Sequence, residues 1–320
     1  MTLNLGELAD HLRSARGIGH KLDIQQASGS LPARPAVTNG DDCAAIPDGD
    51  GYLLIAIEGL LDEFVEAEPW FAGYCAVMVN VSDIYAMGGR PIALVDAIWA
   101  RSAASAGPIW KGMTDAAEKY AVPIVGGHTN SRSRGDHLAA AILGRAGRRL
   151  LTSFDARPGD ALITAIDLRG EWFGHYSYWN CSTTASGERL RGDLEILCRL
   201  ADRELCAAAK DISMGGLVGT ATMLAECSRV GMTINVDAVP RPPNVALEKW
   251  LAAFPSFGFI LSVAPKHIAE VCACFRSRDL GAAVVGQCDD SKIVALTDSP
   301  GQRAVFWDLR EPFIGFGRRS

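Results

Sequence analysis

The chain has 320 residues, 48% hydrophobic and 21% charged, with a formal net charge of -6. That length suits two ordinary domains or one large one, and the composition excludes a disordered or fibrous protein. The acidic balance argues against a sequence-independent nucleic-acid surface, which needs concentrated Lys and Arg.

Near the N-terminus, MTLNLGELADHLRSARG carries acidic residues where a signal peptide would be apolar, and no apolar run approaches the ~18 residues of a membrane helix. The expected location is therefore the cytoplasm, with no membrane and no nucleic acid among the partners. RGIGHK (16–21) then offers His20 and Lys21 on a glycine-flanked segment. GDDCAAI (40–46) sets Asp41 and Asp42 side by side ahead of a strand-like segment. Cys43 follows them; adjacent acids disfavour a thiolate, so it reads as a small buried residue.

GYLLIAIEGL (51–60) reads as a buried strand with Glu58 at its end. Phe71, Tyr74, Cys75, Met78, Ser82 and Tyr85 predict a helix over 71–87, closed by Gly88 and Gly89. ALVDAIWA, a helix from about 107 to 121, VPIVGGHT and LAAAILGR complete an alternating α/β pattern. From 157, RPGDALITAIDL restarts it with a turn and a strand. This predicts an N-terminal domain over 1–153 and a C-terminal domain over 154–320.

The second half predicts helices over 187–209, 214–230, 246–253 and 265–278, with MTINVDAV, FGFILSVA and AAVVGQC strand-like. EWFGHYSYWNCSTTASGERL (171–190) interrupts this order with an aromatic cluster. It either lines a ligand pocket, with Trp172, Tyr176 and Trp179 selecting the substrate, or folds onto its own domain. The nine cysteines are scattered and read as reduced core residues; Cys272 and Cys274, two apart in a helix-like run, point to different faces.

Four acidic segments carry the chemistry: NGDD (39–42), AIEG (56–59), NVSD (80–83) and KDIS (210–213). Asn80 and Asp83, three apart, share one helix face. A single Asp near a turn is ordinarily a turn former or cap. Gathered together, such acids repel unless a cation neutralises them, and Mg²⁺ takes hard oxygen ligands while keeping waters and phosphates in its shell. VGGHTN (125–130) supplies backbone N–H groups at Gly126 and Gly127 and the Thr129 hydroxyl for phosphate. No GxxxxGK[ST] or GxGxxG motif occurs.

NGDDCAAI, a strand-end acid, NVSDIYAMGGRP, GGHT and KDISMGGL, in that order, resemble the aminoimidazole ribonucleotide (AIR) synthetase, or PurM-like, superfamily. That group includes thiamine-monophosphate kinase, selenophosphate synthetase and a hydrogenase-maturation dehydratase. The resemblance implies an α/β (α+β) two-domain fold, a homodimer whose N-terminal domains share a barrel, and ATP with Mg²⁺ in a cleft between domains. It implies magnesium and phosphate roles for Asp41, Asp42, Asp83 and Asp211, a phosphate loop at Gly126, Gly127 and Thr129, and nucleotide contacts at Asn80 and Ser213.

The departures are Glu58 for the usual Asp, GGHT for the kinases' GGDT, and Met214 where a second acid would follow DIS. They weaken a thiamine-monophosphate kinase assignment. Selenophosphate synthetases place a reactive cysteine or selenocysteine in the N-terminal segment, and here no cysteine precedes Cys43. Lys21 there could stabilise charge on the γ-phosphate. His128 could be a ligand, a general base or a hydrogen-bonded loop residue. The expected activity is ATP- and Mg²⁺-dependent phosphoryl transfer to a carbonyl or amide oxygen of a small substrate. The alternatives are a small-molecule kinase or a non-catalytic nucleotide-binding partner protein.

Overall fold

The computed structural model describes residues 4–31 and 37–317, which fall into two compact units. A central unit comprises 43–149 and 182–202; a terminal unit comprises the residues up to 42, 150–181 and those from 203. The chain leaves the central unit at Leu150, beside the turn that suggested a boundary. The early helices nevertheless fold with the second half of the chain, because Leu5, Leu8, Leu12 and Ile18 join that unit's core.

In chain order the terminal unit opens with α1 (Leu5–Arg13), α2 (Arg16–Leu22) and α3 (Ile24–Ser30). The central unit follows as β1 (Ala44–Asp48), β2 (Gly51–Gly59), α4 (Asp62–Ala67), α5 (Pro69–Ala86), β3 (Arg90–Trp99), α6 (Ala103–Tyr120), β4 (Ile124–Asn130) and β5 (His137–Ala146). Next come β6 (Ala161–Ile166), β7 (Glu171–Trp172), β8 (Tyr178–Asn180), α7 (Gly187–Asp202), β9 (Ala208–Asp211), α8 (Gly216–Ser228) and β10 (Gly231–Asn235). The chain closes with α9 (Leu247–Leu251), β11 (Phe254–Pro255), β12 (Gly258–Val263), α10 (Ile268–Arg276), β13 (Gly281–Asp289), β14 (Ile293–Thr297) and β15 (Arg303–Asp308).

In the central unit a five-stranded sheet has the order β1-β2-β5-β3-β4, parallel only between β3 and β4. Helix α5, buried from Phe71 onward, lies on one face, crossed by α6. Side chains alternate across a sheet. Leu54, Ala56, Leu94, Asp96, Ile98, Ala140 and Ile142 are buried, whereas Ile55, Ile57, Val95 and Trp99 are exposed. The 51–60 strand, expected to be buried, is thus covered on one face only.

The terminal unit holds a seven-stranded sheet, β15-β14-β10-β13-β6-β12-β9, and a small β11-β8-β7 sheet. Helix α1 packs on β15, where Arg13 Nη1 donates to the Val305 carbonyl at 2.9 Å. The predicted 187–209 helix stops at Asp202, and its Ala-rich end becomes β9, paired antiparallel with β12. Helix propensity loses there to a buried sheet edge. Glu204, at φ 54°, turns the chain between the two.

Candidate functional site

In the terminal unit the paired carboxylates follow Gly40, whose φ of 114° few other residues adopt and whose absent Cβ leaves room for Phe316. Asp41 is clamped: Ser153 donates to it from its hydroxyl at 2.7 Å and its backbone N–H at 3.0 Å, and the Asp42 N–H adds a bond at 3.0 Å. Burial, then the charge of Asp42, pushes the Asp41 carboxyl up to about 6 against the pull of Lys210 and Ser153.

Asp42 forms a buried ion pair with Lys210, a residue the sequence reading passed over. Its other oxygen accepts the Asp211 N–H at 3.4 Å. Burial alone would lower the Lys210 ammonium; Asp42, Asp41 and Asp211 outweigh it and hold the group protonated. A signal for Lys210 did exist: a lone lysine inside the apolar run CAAAKDI needs a buried partner.

Asp211 ends β9, and the chain turns at Ser213–Gly216 into α8. Gly216, at φ 65°, lies where a Cβ would meet the Leu251 carbonyl oxygen at 2.3 Å. Against this turn lies RGIGHK, which forms α2. Gly17 approaches the Met214 carbonyl, and the Lys21 stem runs beside Gly215. His20 Nε2 accepts from Arg16 Nε at 3.2 Å.

In the central unit Asn80 and Asp83 are buried on α5. The Asn80 amide donates to the carbonyls of Ala76, at 2.8 Å, and Ala140, at 3.1 Å, tying the helix to β5. Glu58 sits exposed near the end of β2. It belongs to a row of aligned residues across the sheet, Glu58, Ala140, Asp96 and Gly127. Asp96 was not anticipated. Burial pushes its carboxyl up to about 6, and Gly127 accommodates it, since a Cβ there would stand 2.5 Å from an Asp96 oxygen.

Gly126, Gly127, His128 and Thr129 do not form a loop after a strand; they are part of β4 itself. This is an edge strand, so one side of its backbone lacks a strand partner among the described residues. Alternation places Gly127 and Thr129 on the helix-covered face and His128 on the other, where its ring lies 6.3 Å from that of Trp99. Cys43 is buried, its N–H donating to Met87 Sδ.

The aromatic segment folds largely onto its own unit. Trp179 is core, with Nε1 donating to the Asp167 carbonyl at 3.0 Å. Trp172, Trp179 and Trp250 pack edge to face, and Lys249 caps the Trp172 ring at 4.0 Å. Tyr176 stacks on Tyr178.

The donor set suits Mg²⁺: within the terminal unit a carboxylate oxygen of Asp42 and one of Asp211 lie within 4.8 Å of each other, and the nearby Cys227 thiol is held protonated by burial. Among the described residues no helix is long and apolar enough to cross a membrane.

Residues 40–146 match the model of the AIR synthase related protein N-terminal domain, and 157–299 that of the C-terminal domain. An uncharacterized protein of Synechocystis is 46% identical over 98% of both chains. The phosphoribosylformylglycinamidine synthase subunit PurL of Methanosarcina mazei is 27% identical over 83% of this chain and 40% of its own. Among solved structures, Thermotoga maritima PurL complexed with ATP superposes with a TM-score of 0.76 at 18% identity, over 98% of this chain and 53% of that one. The chain thus spans about half the length of these PurL proteins.

Proposed function

Because this chain belongs to the AIR synthase related protein family, we propose that it is an ATP- and Mg²⁺-dependent enzyme that phosphorylates a carbonyl or amide oxygen of a small substrate. The observation that supports this most is the acid set of the terminal unit, where carboxylate oxygens of Asp42 and Asp211, far apart in sequence, lie within 4.8 Å and suit a hard cation. Thermotoga maritima PurL, whose fold this chain shares, has been solved complexed with ATP, which supports the choice of nucleotide.

In this reading Asp42 and Asp211 are the metal ligands of the terminal unit, and Asp41, its lone pairs largely spent on Ser153 and Asp42, steadies the ligand beside it. In the central unit Glu58 and Asp83 are the acids to which the family resemblance assigns a metal role. Bound Mg²⁺ neutralises phosphate charge. In the central unit the outer edge of β4 offers the Gly127 and Thr129 N–H groups to phosphate oxygens, with Gly126 beside them lacking a side chain; in the terminal unit the Ser213 turn approaches a nucleotide and Lys21 faces developing negative charge. Asn80 holds α5 in place. His128, on the opposite face of its strand from Thr129, takes no part in phosphate contacts. Of the aromatic residues only Tyr176 remains a candidate for the substrate, since Trp172 and Trp179 pack with Trp250.

The substrate oxygen attacks the γ-phosphorus as the bond to the β-phosphate oxygen breaks, and ADP leaves. The new phosphate ester is a leaving group, expelled as inorganic phosphate when a nucleophile attacks the activated carbon. No protein nucleophile is needed; positioning and charge neutralisation supply the rate. The exposed apolar sheet face of the central unit is covered by a second copy, giving a homodimer.

Calorimetry with a non-hydrolysable ATP analogue tests the site. Mg²⁺ should tighten binding by on the order of tenfold or more, and Asp211→Ala should abolish that gain. Equal binding with and without Mg²⁺, with no effect of Asp211→Ala, defeats the proposal. In turnover assays, ADP with free phosphate supports the activating enzyme, whereas a stable phosphorylated product identifies a small-molecule kinase.

A further inference from the structure

The acid set contains its own cation. Lys210 lies in β9, buried, with its ammonium directly on Asp42 Oδ1, while Asp42 Oδ2 accepts the Asp211 N–H. Around that ammonium stand Asp41, Asp42 and Asp211. One lysine against three carboxylates leaves two negative charges, the charge of one divalent ion. An ion that ligates Asp42 through Oδ1 meets the ammonium on the same atom, and two cations at one oxygen repel.

We propose that Lys210 is a tethered cation that occupies, in the metal-free chain, the carboxylate the divalent ion takes, so that ammonium and ion compete for Asp42. This rests on the metal reading above. A lysine suits the task because its ammonium is a compact point charge on a flexible four-carbon stem, able to leave Asp42 without backbone movement. An arginine fork would bind a carboxylate in two places and release it less readily. Lys210 also keeps like charges from repelling before nucleotide and metal arrive, since a buried carboxylate stripped of its partner is strongly destabilising. Metal affinity is thereby lowered and the empty fold stabilised, two effects of one contact.

The test uses the full-length protein and Mn²⁺ as the probe, titrated by calorimetry without nucleotide, alongside urea unfolding in EDTA. Lys210→Met keeps the stem and removes the charge. Its metal-free form should unfold at lower urea than wild type, and it should bind Mn²⁺ on the order of tenfold more tightly or better. Lys210→Arg should bind Mn²⁺ no more tightly than wild type. If Lys210→Met fails to fold, the double variant Lys210→Met/Asp41→Asn, which removes one charge of each sign, carries the same expectation. Unchanged or weaker Mn²⁺ binding in the neutral variants, with Asp42→Asn abolishing it in the wild-type background, overturns the competition and leaves the metal reading standing. Absence of Mn²⁺ binding in every variant, wild type included, removes both.

Discussion

Asp96 exposes what burial does to one carboxyl: among the described residues neither oxygen has a hydrogen-bond partner, and burial pushes the group up to about 6. An acid raised in the folded state binds its proton there more tightly than in the unfolded chain. Its stabilising share is therefore complete below the ordinary carboxylate value and is lost as pH rises through about 6. Stability of the metal-free protein should fall between pH 4 and 7, and Asp96→Asn should flatten part of that fall, by at most about 2–3 kcal/mol. Urea midpoints across that range measure it, and a slope unchanged by the variant contradicts the assignment. Asp41, also raised to about 6, leaves a residual slope in Asp96→Asn. At this scale the sequence was partly legible. Asp42 and Asp211 stood out because charges at strand ends beside small residues need a purpose, whereas Lys210 and Asp96 sat inside apolar runs whose periodicity drew attention elsewhere.

Helices α5 and α6 cross where two glycines remove the side chains. A Cβ on Gly73 would stand 2.1 Å from the Ile109 carbonyl oxygen, and one on Gly112 would stand 1.8 Å from that of Trp70. Alanine is the better helix former by about 1 kcal/mol, yet here it must push backbone apart. Gly112→Ala should cost about 1–3 kcal/mol, read from the urea midpoint. A neutral or stabilising result would mean that the crossing is looser than described. Element types at 71–87 and 258–263 came out as read, although both segments are buried on every side, so the three-and-four spacing of Phe71, Tyr74, Cys75, Met78, Ser82 and Tyr85 marks only part of what α5 buries. Local readings failed at 203–209, predicted helical, and at GGHT, expected as a phosphate loop, where strand pairing with a distant partner overrides local preference.

For the molecule as a whole, the consequential surface is the outer face of the central sheet, with Ile57 69%, Ile55 43%, Val95 43% and Trp99 37% exposed. A contiguous apolar face of this kind marks an association surface. Placing a charge at its middle, as in Ile57→Lys, should convert the proposed homodimer to monomer, seen by light scattering after size exclusion, with unfolding in urea still cooperative. A wild-type monomer at micromolar concentration contradicts the dimer. The sequence by itself determined the family, the alternating α/β order and the acidic motifs, because these depend on residue type and on spacing within short windows. Only the tertiary structure decided that the leading helices belong with the second half of the chain, that His128 and Thr129 point to opposite faces, and that a lysine shares the acid set. Those facts depend on which distant segments meet, and that is fixed by burial and strand register rather than by any local pattern.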